Sequence, residues 1–315
     1  MSRIPVIIDT DPGHDDAFAI MMALASDKLE VKAVTTVCGN STVENTTKNA
    51  LNILSLFDRT DIPVAMGRGD PMLGKLDRNG GKRVHGESGL EGPVFPPLQA
   101  KPVDMNAVDL IAKVVKESEQ KVVLAPLGPL CNIAAFVLSY PELLDRIEMI
   151  SMMGGNTFWG NVTPGAEYNI YVDPESAQVV FQSGIPIIMA GLDVTEKALV
   201  CPADFDRIRA VGNKVAVTVA DWLEFFYQFH KTMDYPGAPI HDAVAVAALV
   251  KPEILTMRKM YVDVETSGDY CMGCTVGDWF GTTGHAPNAT VLLDIDREAF
   301  VDLLVEAVKT YGEGN

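Results

Sequence analysis

The sequence predicts an α/β fold built on a doubly wound, mainly parallel sheet flanked by helices, with an antiparallel edge. Two observations lead to this prediction. Short apolar runs alternate with longer segments of helical periodicity as far as about residue 190, as in βαβ units. Beyond residue 250, strand-like runs follow one another with turn residues between them, which favours antiparallel pairing. Ligands of such sheets bind at the carboxyl ends of the parallel strands, so we expect the chemistry there.

Each predicted strand is a short run rich in Val, Ile, Leu or Met, and each predicted helix repeats its apolar residues at helical spacing. In chain order, strands are predicted at 5–9, 31–37, 62–66, 121–125, 147–153 and 185–190, and helices after the first strand up to about 25, then at 43–57, 106–118, 132–139 and 174–183. The stretch from 202 to about 250 is mainly helical in pattern, and further strands are predicted at 257–264, 270–276 and 289–294. No repeat or linker divides the sequence, so we expect a single domain over 1–315.

Composition and charge limit the classes of partner. Of the 315 residues, 48% are hydrophobic and the formal net charge is −17. Such a surface repels nucleic-acid polymers and anionic membranes but not a small uncharged substrate. Neither a secretory signal nor an apolar run of membrane-spanning length is visible, so a cytoplasmic protein is expected.

The five cysteines are an odd number and are expected to be reduced thiols. Cys271 and Cys274 have the spacing of half a zinc site. They lack a second ligand pair and lie in a strand-like stretch, so packed or surface thiols are expected.

Four carboxylates follow the first predicted strand, in Asp9-Thr-Asp11-Pro-Gly-His-Asp15-Asp16. Asp9 and Asp11 would share a strand face, and Asp15 and Asp16 would lie in the first turn of the next helix. A helix dipole is worth about 1 kcal/mol and does not neutralise four carboxylates. A hard divalent cation with oxygen ligands would do so. The alternative is a solvated acidic turn.

Two nucleotide-binding patterns are disfavoured. No Gly-x-Gly-x-x-Gly follows the first strand. The stretch at 69–76 has the spacing of a phosphate-binding loop, but it ends on Leu76 where a hydroxyl residue is required, and Pro71 lies inside it.

Further short motifs follow the acidic cluster. They are Cys38-Gly39-Asn40, His85-Gly-Glu-Ser-Gly-Leu90, Leu127-Gly-Pro-Leu-Cys-Asn132, Met153-Gly-Gly155, Asn161-Val-Thr-Pro-Gly-Ala-Glu167-Tyr-Asn169, Asp173-Pro-Glu175 and His241-Asp242. In order and spacing they resemble the inosine-uridine preferring nucleoside hydrolase family. The segments 84–93, 181–194 and 287–304 are most similar to its bacterial pyrimidine-preferring ribonucleoside hydrolases. Leu127 departs from the family, in which many members carry Thr at this position.

The resemblance implies calcium-dependent hydrolysis of the N-glycosidic bond of ribonucleosides, with Ca²⁺ held by Asp11, Asp16, Asp242 and the Leu127 carbonyl. Since a backbone carbonyl is the ligand at Leu127, a different side chain should be tolerated. The cation would bind the ribose 2′- and 3′-hydroxyls and a water, and Asp11 would be the general base. Asp15, Asn40, Met153, Asn161, Glu167 and Asn169 would contact the ribose.

The base side is expected to be rich in imidazoles and aromatic rings. His241, beside the ligand Asp242, would protonate or orient the leaving base. His85 lies in a Gly-rich stretch and would contact the base. Tyr227, Phe229 and His230 lie on a predicted helix before an expected loop at 232–239 and would form a wall, although an aromatic helix face is more often part of a core. His14 receives no role.

Two other functions remain open from the sequence. Asp9-x-Asp11 after a strand resembles the nucleophile motif of haloacid-dehalogenase phosphatases, but Pro12-Gly13 and two more Asp residues depart from it. A non-catalytic nucleoside-binding protein would be expected to lack Asp11 or Asp242. By the resemblance, a homo-oligomer (dimer or tetramer) is expected.

Overall fold

The structure, a computed structural model, describes residues 3–76, 81–92, 95, 97, 98 and 100–312. Residue 93, the last of the segment 84–93, lies outside these ranges, as do the first two and last three residues of the expected domain. Strands and helices alternate along most of the described chain, whose last elements are a helix and a short 3-10 turn.

The described strands fall into one large sheet and two small ones. They are β1 Ile4–Thr10, β2 Leu29–Thr36, β3 Val64–Met66, β4 Val122–Pro126, β5 Ile147–Met153, β6 Ile187–Ala190, β7 Leu199–Val200, β8 Ala238–Pro239, β9 Leu255–Met260, β10 Val262–Val264, β11 Thr275–Gly277 and β12 Ala289–Ile295.

The α-helices flank the large sheet. They are α1 His14–Ala25, α2 Val43–Leu56, α3 Lys82–His85, α4 Ala107–Glu117, α5 Cys131–Ser139, α6 Tyr168–Val172, α7 Pro174–Phe181, α8 Leu192–Thr195, α9 Pro202–Arg209, α10 Lys214–Lys231, α11 His241–Val250 and α12 Arg297–Lys309. Short 3-10 helices cover Pro141–Arg146, Pro252–Ile254 and Thr310–Gly312.

The eight-stranded sheet has the order β3-β2-β1-β4-β5-β6-β12-β9. Every adjacent pair is parallel except β12 with β9. Chain order runs outward from β1 to β3 on one side and from β4 to β6 on the other, so the boundary between β1 and β4 is the topological switch point of a doubly wound sheet. A ligand is expected in the crevice at their carboxyl ends.

Burial explains why the sequences of the strands and helices are largely apolar. β1 is buried from Pro5 to Thr10, as expected for a parallel strand covered on both faces. Every residue of α1 from His14 to Ala23 is buried, and the helix packs against α11 and α12. A helix enclosed on all sides tolerates polar residues only where they have partners. Its three polar residues, at the first turn, therefore need a specific explanation.

The predicted elements are confirmed over most of the chain, with shifts of one to two residues at their ends. Two predictions in the last part were wrong. The run at 257–264 is split between β9 and β10, which belong to different sheets. The expected strand at 270–276 contains only the start of β11. Its first part forms a turn in which the Cys274 N–H donates to the Cys271 carbonyl at 2.9 Å. Gly273, with φ +80°, allows this turn.

The expected loop at 232–239 includes β8, which pairs with β7. All five cysteines are free, and Cys271 is exposed. None of the helices in the described part of the chain combines the length and the apolar composition needed to cross a membrane.

Candidate active site

Carboxylates gather at the switch point of the sheet. Asp11 follows β1, Asp15 and Asp16 lie in the first turn of α1, and Asp242 lies in the first turn of α11. Leu127 follows β4, and its N–H donates to the Asp9 carbonyl at 2.7 Å. The fold therefore brings together Asp15 and the four residues that the resemblance assigns to the cation, from three separate parts of the sequence.

One carboxylate oxygen from each of Asp15, Asp16 and Asp242 lies within 4.8 Å of the other two. All three are buried, as is Asp11. Asp15, which was predicted to contact the ribose, thus belongs to the group of three closely spaced carboxylates. Asp11 lies beside this group.

Burial raises the pKa of all four carboxyls above the usual range for Asp. Neighbouring carboxylates raise the pKa of Asp11, Asp15 and Asp242 further. None of the ion pairs between described residues includes any of these four groups. A buried cluster of like charges without a protein cation fits a hard divalent cation held by oxygen ligands.

The backbone holds Asp11 closely on two sides. Its Oδ2 accepts a hydrogen bond from the Asn40 N–H at 2.7 Å. A Cβ atom at Gly39 would lie 2.0 Å from Oδ2, and one at Gly128 would lie 2.2 Å from Oδ1. The residues after β2 and β4 therefore fix the position of this carboxylate.

Asp16 is held by donors from the turn between β1 and α1. The Thr10 hydroxyl donates to its Oδ1. The Gly13 N–H donates to its Oδ2 at 2.8 Å, and Nδ2 of Asn40 lies 3.4 Å from the same atom. Asn40 thus links Asp11 and Asp16.

Asn169, one of the residues expected at the ribose, connects the ends of β4 and β5. Nδ2 of Asn169 donates to the Leu127 carbonyl at 2.8 Å and is 3.2 Å from the carbonyl of Met153. A carbonyl oxygen has two lone pairs, so the Leu127 oxygen keeps capacity for a cation.

Glu167 is buried at the start of α6. It accepts hydrogen bonds from the N–H groups of Gly155 (2.8 Å) and Asn169 (2.9 Å), and burial raises its pKa. Asn161 is exposed, and its Oδ1 accepts from the Tyr168 N–H at 3.0 Å. Glu167 therefore orders the backbone here, whereas Asn161 lies at the rim.

Three of the expected base-side residues form an imidazole cluster. His85 and His230 flank Phe226, with ring centres 5.4 and 4.5 Å from it. Nδ1 of His241 lies 2.8 Å from the Thr195 hydroxyl. Burial lowers the pKa of His230 and of His241 to about 4 and that of His85 well below its usual value. All three rings are therefore uncharged at neutral pH.

Tyr227 precedes His230 by three residues on α10 and makes packing contacts. Its ring meets the edge of Phe205, and its hydroxyl donates to the Tyr235 carbonyl at 3.2 Å. These contacts are those of a packing residue, which was the alternative left open for this helix face.

Sequence reasoning missed His14, which is fully buried. Nε2 of His14 lies 2.8 Å from the Glu91 carbonyl, and its Nδ1 lies 3.2 Å from Nδ1 of His85. The signal was present, because a His inside an acidic, buried motif needs hydrogen-bond partners. The residues that supply them lie far along the chain, so the sequence did not identify them.

Comparisons with known proteins agree with this geometry. Residues 6–302 match the family model of inosine-uridine preferring nucleoside hydrolases. The chain is 50% identical over 311 residues to the pyrimidine-specific ribonucleoside hydrolase RihA of Salmonella arizonae, covering 98% of this chain and 99% of that protein. It is 50% identical over 310 residues to the RihA of Escherichia coli O1:K1, with the same coverage.

Solved structures show the same fold. A purine-preferring ribonucleoside hydrolase from Gardnerella vaginalis superposes with a TM-score of 0.92 at 30% identity, covering 98% of this chain and 99% of that one. The plant nucleoside hydrolase PpNRh1 superposes with a TM-score of 0.90 at 34% identity and the same coverage. A match along nearly the whole chain rejects the haloacid-dehalogenase alternative. The chain belongs to the inosine-uridine preferring nucleoside hydrolase family.

Proposed function

We propose that this protein is a calcium-dependent hydrolase of ribonucleosides, with uridine and cytidine preferred, that releases ribose and the free base in nucleoside salvage or catabolism. The observation that carries the proposal is the group of buried carboxylates Asp15, Asp16 and Asp242 with Asp11 beside it. Pyrimidine preference is supported by the RihA relatives. The structural neighbours include a purine-preferring enzyme, so the shared fold does not decide the base.

The residues that would hold the cation are Asp11, Asp16, Asp242 and the Leu127 carbonyl, with Asp15 close enough to join them. When bound, Ca²⁺ would offset the buried negative charge, hold the vicinal ribose hydroxyls and lower the pKa of a nearby water. Oxygen ligands from carboxylates and a carbonyl are the set that calcium prefers.

The protein's own groups would supply the remaining chemistry. Breaking the bond leaves positive charge on the ribose ring, as in related glycoside hydrolysis. Asp11 would take the proton of the attacking water. Asp15, Asn40, Met153, Asn161, Glu167 and Asn169 would orient the ribose, since amide and carboxylate groups suit hydroxyls that both donate and accept.

The imidazole cluster would receive the base. His241 is uncharged in the free protein because burial lowers its pKa to about 4. We therefore assign it the donation of a hydrogen bond, or of a proton taken up with the substrate, to the leaving base. His85 and His230 would contact the base, and Tyr227 would stabilise the wall from behind.

The proposal also includes the cellular location and the oligomeric state of the protein. The free cysteines suit the reducing cytoplasm. A homo-oligomer, dimer or tetramer, is supported by exposed aromatic side chains. Phe158, Trp159 and Phe280 are 62%, 55% and 92% exposed.

The test is release of ribose from uridine, cytidine, inosine and adenosine, each with chelator and with added Ca²⁺. We expect turnover of the pyrimidine ribonucleosides that chelation abolishes and calcium restores. Uridine should react much faster than 2′-deoxyuridine, because the diol is part of the site. Asp242→Asn should be inactive, whereas Asp145→Asn, an exposed control, should not. Binding without ribose release would indicate a nucleoside-binding protein instead.

A further inference from the structure

Cys271 and Cys274 form a pair of thiols in the turn that leads into β11. They are the first and last residues of this turn, and the Cys274 N–H donates to the Cys271 carbonyl at 2.9 Å. Gly273, with φ +80°, has the backbone conformation that a type II turn requires at its third position. The Cα atoms at the two ends of such a turn lie less than about 7 Å apart, which is within the span of a disulfide.

The two thiols differ in accessibility. A hydrogen bond joins their side chains. Cys271 is exposed, whereas Cys274 is only partly so. Burial raises the pKa of the Cys274 thiol, and the nearby Cys271 and Glu265 raise it further. Cys271 is therefore the thiol that an external reagent reaches first, and Cys274 is in position to react with the product.

The hairpin formed by β10 and β11 holds the turn in place. The Gly273 N–H donates to the Glu265 carbonyl at 2.7 Å, and the Glu265 N–H donates to the Cys274 carbonyl at 2.9 Å. Both hydrogen bonds continue the antiparallel pairing of the two strands. Because the backbone already brings the two cysteines together, a disulfide between them needs mainly a movement of the side chains.

The pair packs against the loop at 160–167, which carries two of the residues expected at the ribose. A Cβ atom at Gly165 would lie 2.5 Å from Sγ of Cys274, so the sulfur lies directly against this backbone. The Gly165 carbonyl accepts from Nδ2 of Asn156 at 3.1 Å, and the Asn156 N–H donates to the hydroxyl of Thr275 at 2.7 Å. The position of Cys274 is thus linked to that of the loop by packing and by hydrogen bonds.

We propose that Cys271 and Cys274 are a redox site, at which a low-molecular-weight disulfide such as glutathione disulfide oxidises the pair to an internal disulfide that loosens the loop at 160–167. The Cys271 thiolate attacks one sulfur of the reagent, forms a mixed disulfide and releases one thiolate. Cys274 then loses its proton to solvent, attacks the Cys271 sulfur and displaces the second thiolate. Two electrons pass from the pair to the reagent, which becomes two thiols.

The effect on the loop follows from the length of the new bond. The sulfur atoms of a disulfide are about 2.05 Å apart, closer than any hydrogen-bonded pair of atoms. Sγ of Cys274 must therefore move toward Cys271 and leave its position against Gly165, and the loop loses these contacts. The loop ends on Glu167, so an effect on ribose binding rests on the proposed function. The residues proposed to hold calcium lie on other segments.

The first test needs no substrate. The full-length protein is incubated with glutathione disulfide and analysed by intact-mass and disulfide-mapping mass spectrometry. We expect the parent to lose two hydrogens, with Cys271 and Cys274 in one bridge that excess reduced glutathione reopens. Cys274→Ser should instead keep one glutathione on Cys271, and Cys271→Ser should stay reduced at residue 274. Cys201→Ser, which changes a thiol elsewhere that is also not fully buried, should form the bridge as the parent does.

The second test measures the loop by hydrogen–deuterium exchange of residues 156–169. The oxidised parent should exchange faster here than the reduced parent, because the loop has lost packing contacts. The same treatment should leave the exchange of Cys271→Ser unchanged. Oxidation should also raise the KM of the parent for uridine by up to about tenfold, the size of one neutral hydrogen bond, without changing its calcium affinity. Reduced Cys271→Ser should match the reduced parent in kcat and KM.

A parent protein that stays reduced, or that stops at the glutathione adduct, would overturn the proposal. An internal disulfide with unchanged exchange in the loop would also overturn it, since the pair would then not act on the loop. Absence of turnover with every ribonucleoside would refute the proposed function, while disulfide mapping and exchange would still decide the role of the pair.

Discussion

A Cβ atom at Gly128 would lie 2.2 Å from Oδ1 of Asp11. The chain after β4 and the carboxylate after β1 fit together only because residue 128 has no side chain, and the obstructing group is a buried carboxylate with little room to move. The two strands are neighbours across the switch point, so this contact connects the topology of the sheet directly to the position of a candidate ligand.

Gly128→Ala should therefore displace Asp11 and weaken calcium binding by about 10–100-fold, the range found for residues that orient a metal ligand. Calcium affinity can be measured by isothermal titration calorimetry. Gly69→Ala is the matched control, because its nearest neighbour is Cγ1 of the buried Val43 at 3.2 Å, which has to move by only a few tenths of an ångström and is no candidate ligand. Equal calcium affinity in both variants would show that the contact between residue 128 and Asp11 does not position this carboxylate for calcium binding.

Asp242→Asn should reduce the dependence of stability on calcium. Removing one charge from a buried, unpaired cluster relieves repulsion, so the chelated variant should melt higher than the chelated parent. Calcium should then raise its melting temperature less, because stabilisation by a ligand follows its affinity and reaches about 2.7 kcal/mol at 100 times Kd. Asp145→Asn should respond to calcium as the parent does.

The pH dependence of the chelated protein should reveal Asp9. Its Oδ1 accepts from Thr35 at 2.6 Å and Asn132 at 2.8 Å, its Oδ2 has no partner, and burial raises its pKa to about 7. The unfolded chain releases this proton near pH 4 and the folded protein near pH 7. Stability is therefore full below the unfolded value and falls as the pH rises through this window.

Asp9→Asn keeps the accepting oxygen and removes the titration. We expect its urea midpoint to fall less than that of the parent between about pH 4 and 7, by an amount equivalent to at most about 4 kcal/mol. Parallel curves for parent and variant would show that Asp9 is not the group that titrates.

His241→Ala should lower kcat on uridine by about 10²–10⁴-fold, the contribution of a positioned acid. Hydrolysis of p-nitrophenyl riboside should survive far better, because that leaving group needs no proton. Thr195→Val removes the hydroxyl 2.8 Å from Nδ1 of His241 while keeping a branched side chain. This substitution should lower kcat on uridine by up to about tenfold. Equal losses on both substrates with normal calcium binding would exclude His241 as the acid.

The sequence alone determined the alternation of strands and helices, because buried parallel strands require continuous apolar runs and enclosed helices require apolar periodicity. It also placed Asp11 after β1 and Asp15 and Asp16 in the first turn of α1, since strand and turn chemistry are local. It failed at 270–276, where glycine conformation rather than apolar pattern set the chain direction.

The tertiary structure alone decided which distant groups meet. Asp242 joins the cluster because α11 packs against α1, more than 200 positions earlier in the sequence. Asp15 lies nearer to Asp16 and Asp242 than its expected role implied, and Tyr227 faces Phe205. The partners of His14 are His85 and Glu91, in a segment that no local pattern connects to it. Hydrogen bonds and like charges act over a few ångströms, so their partners are fixed only when the whole sheet brings the chain segments together.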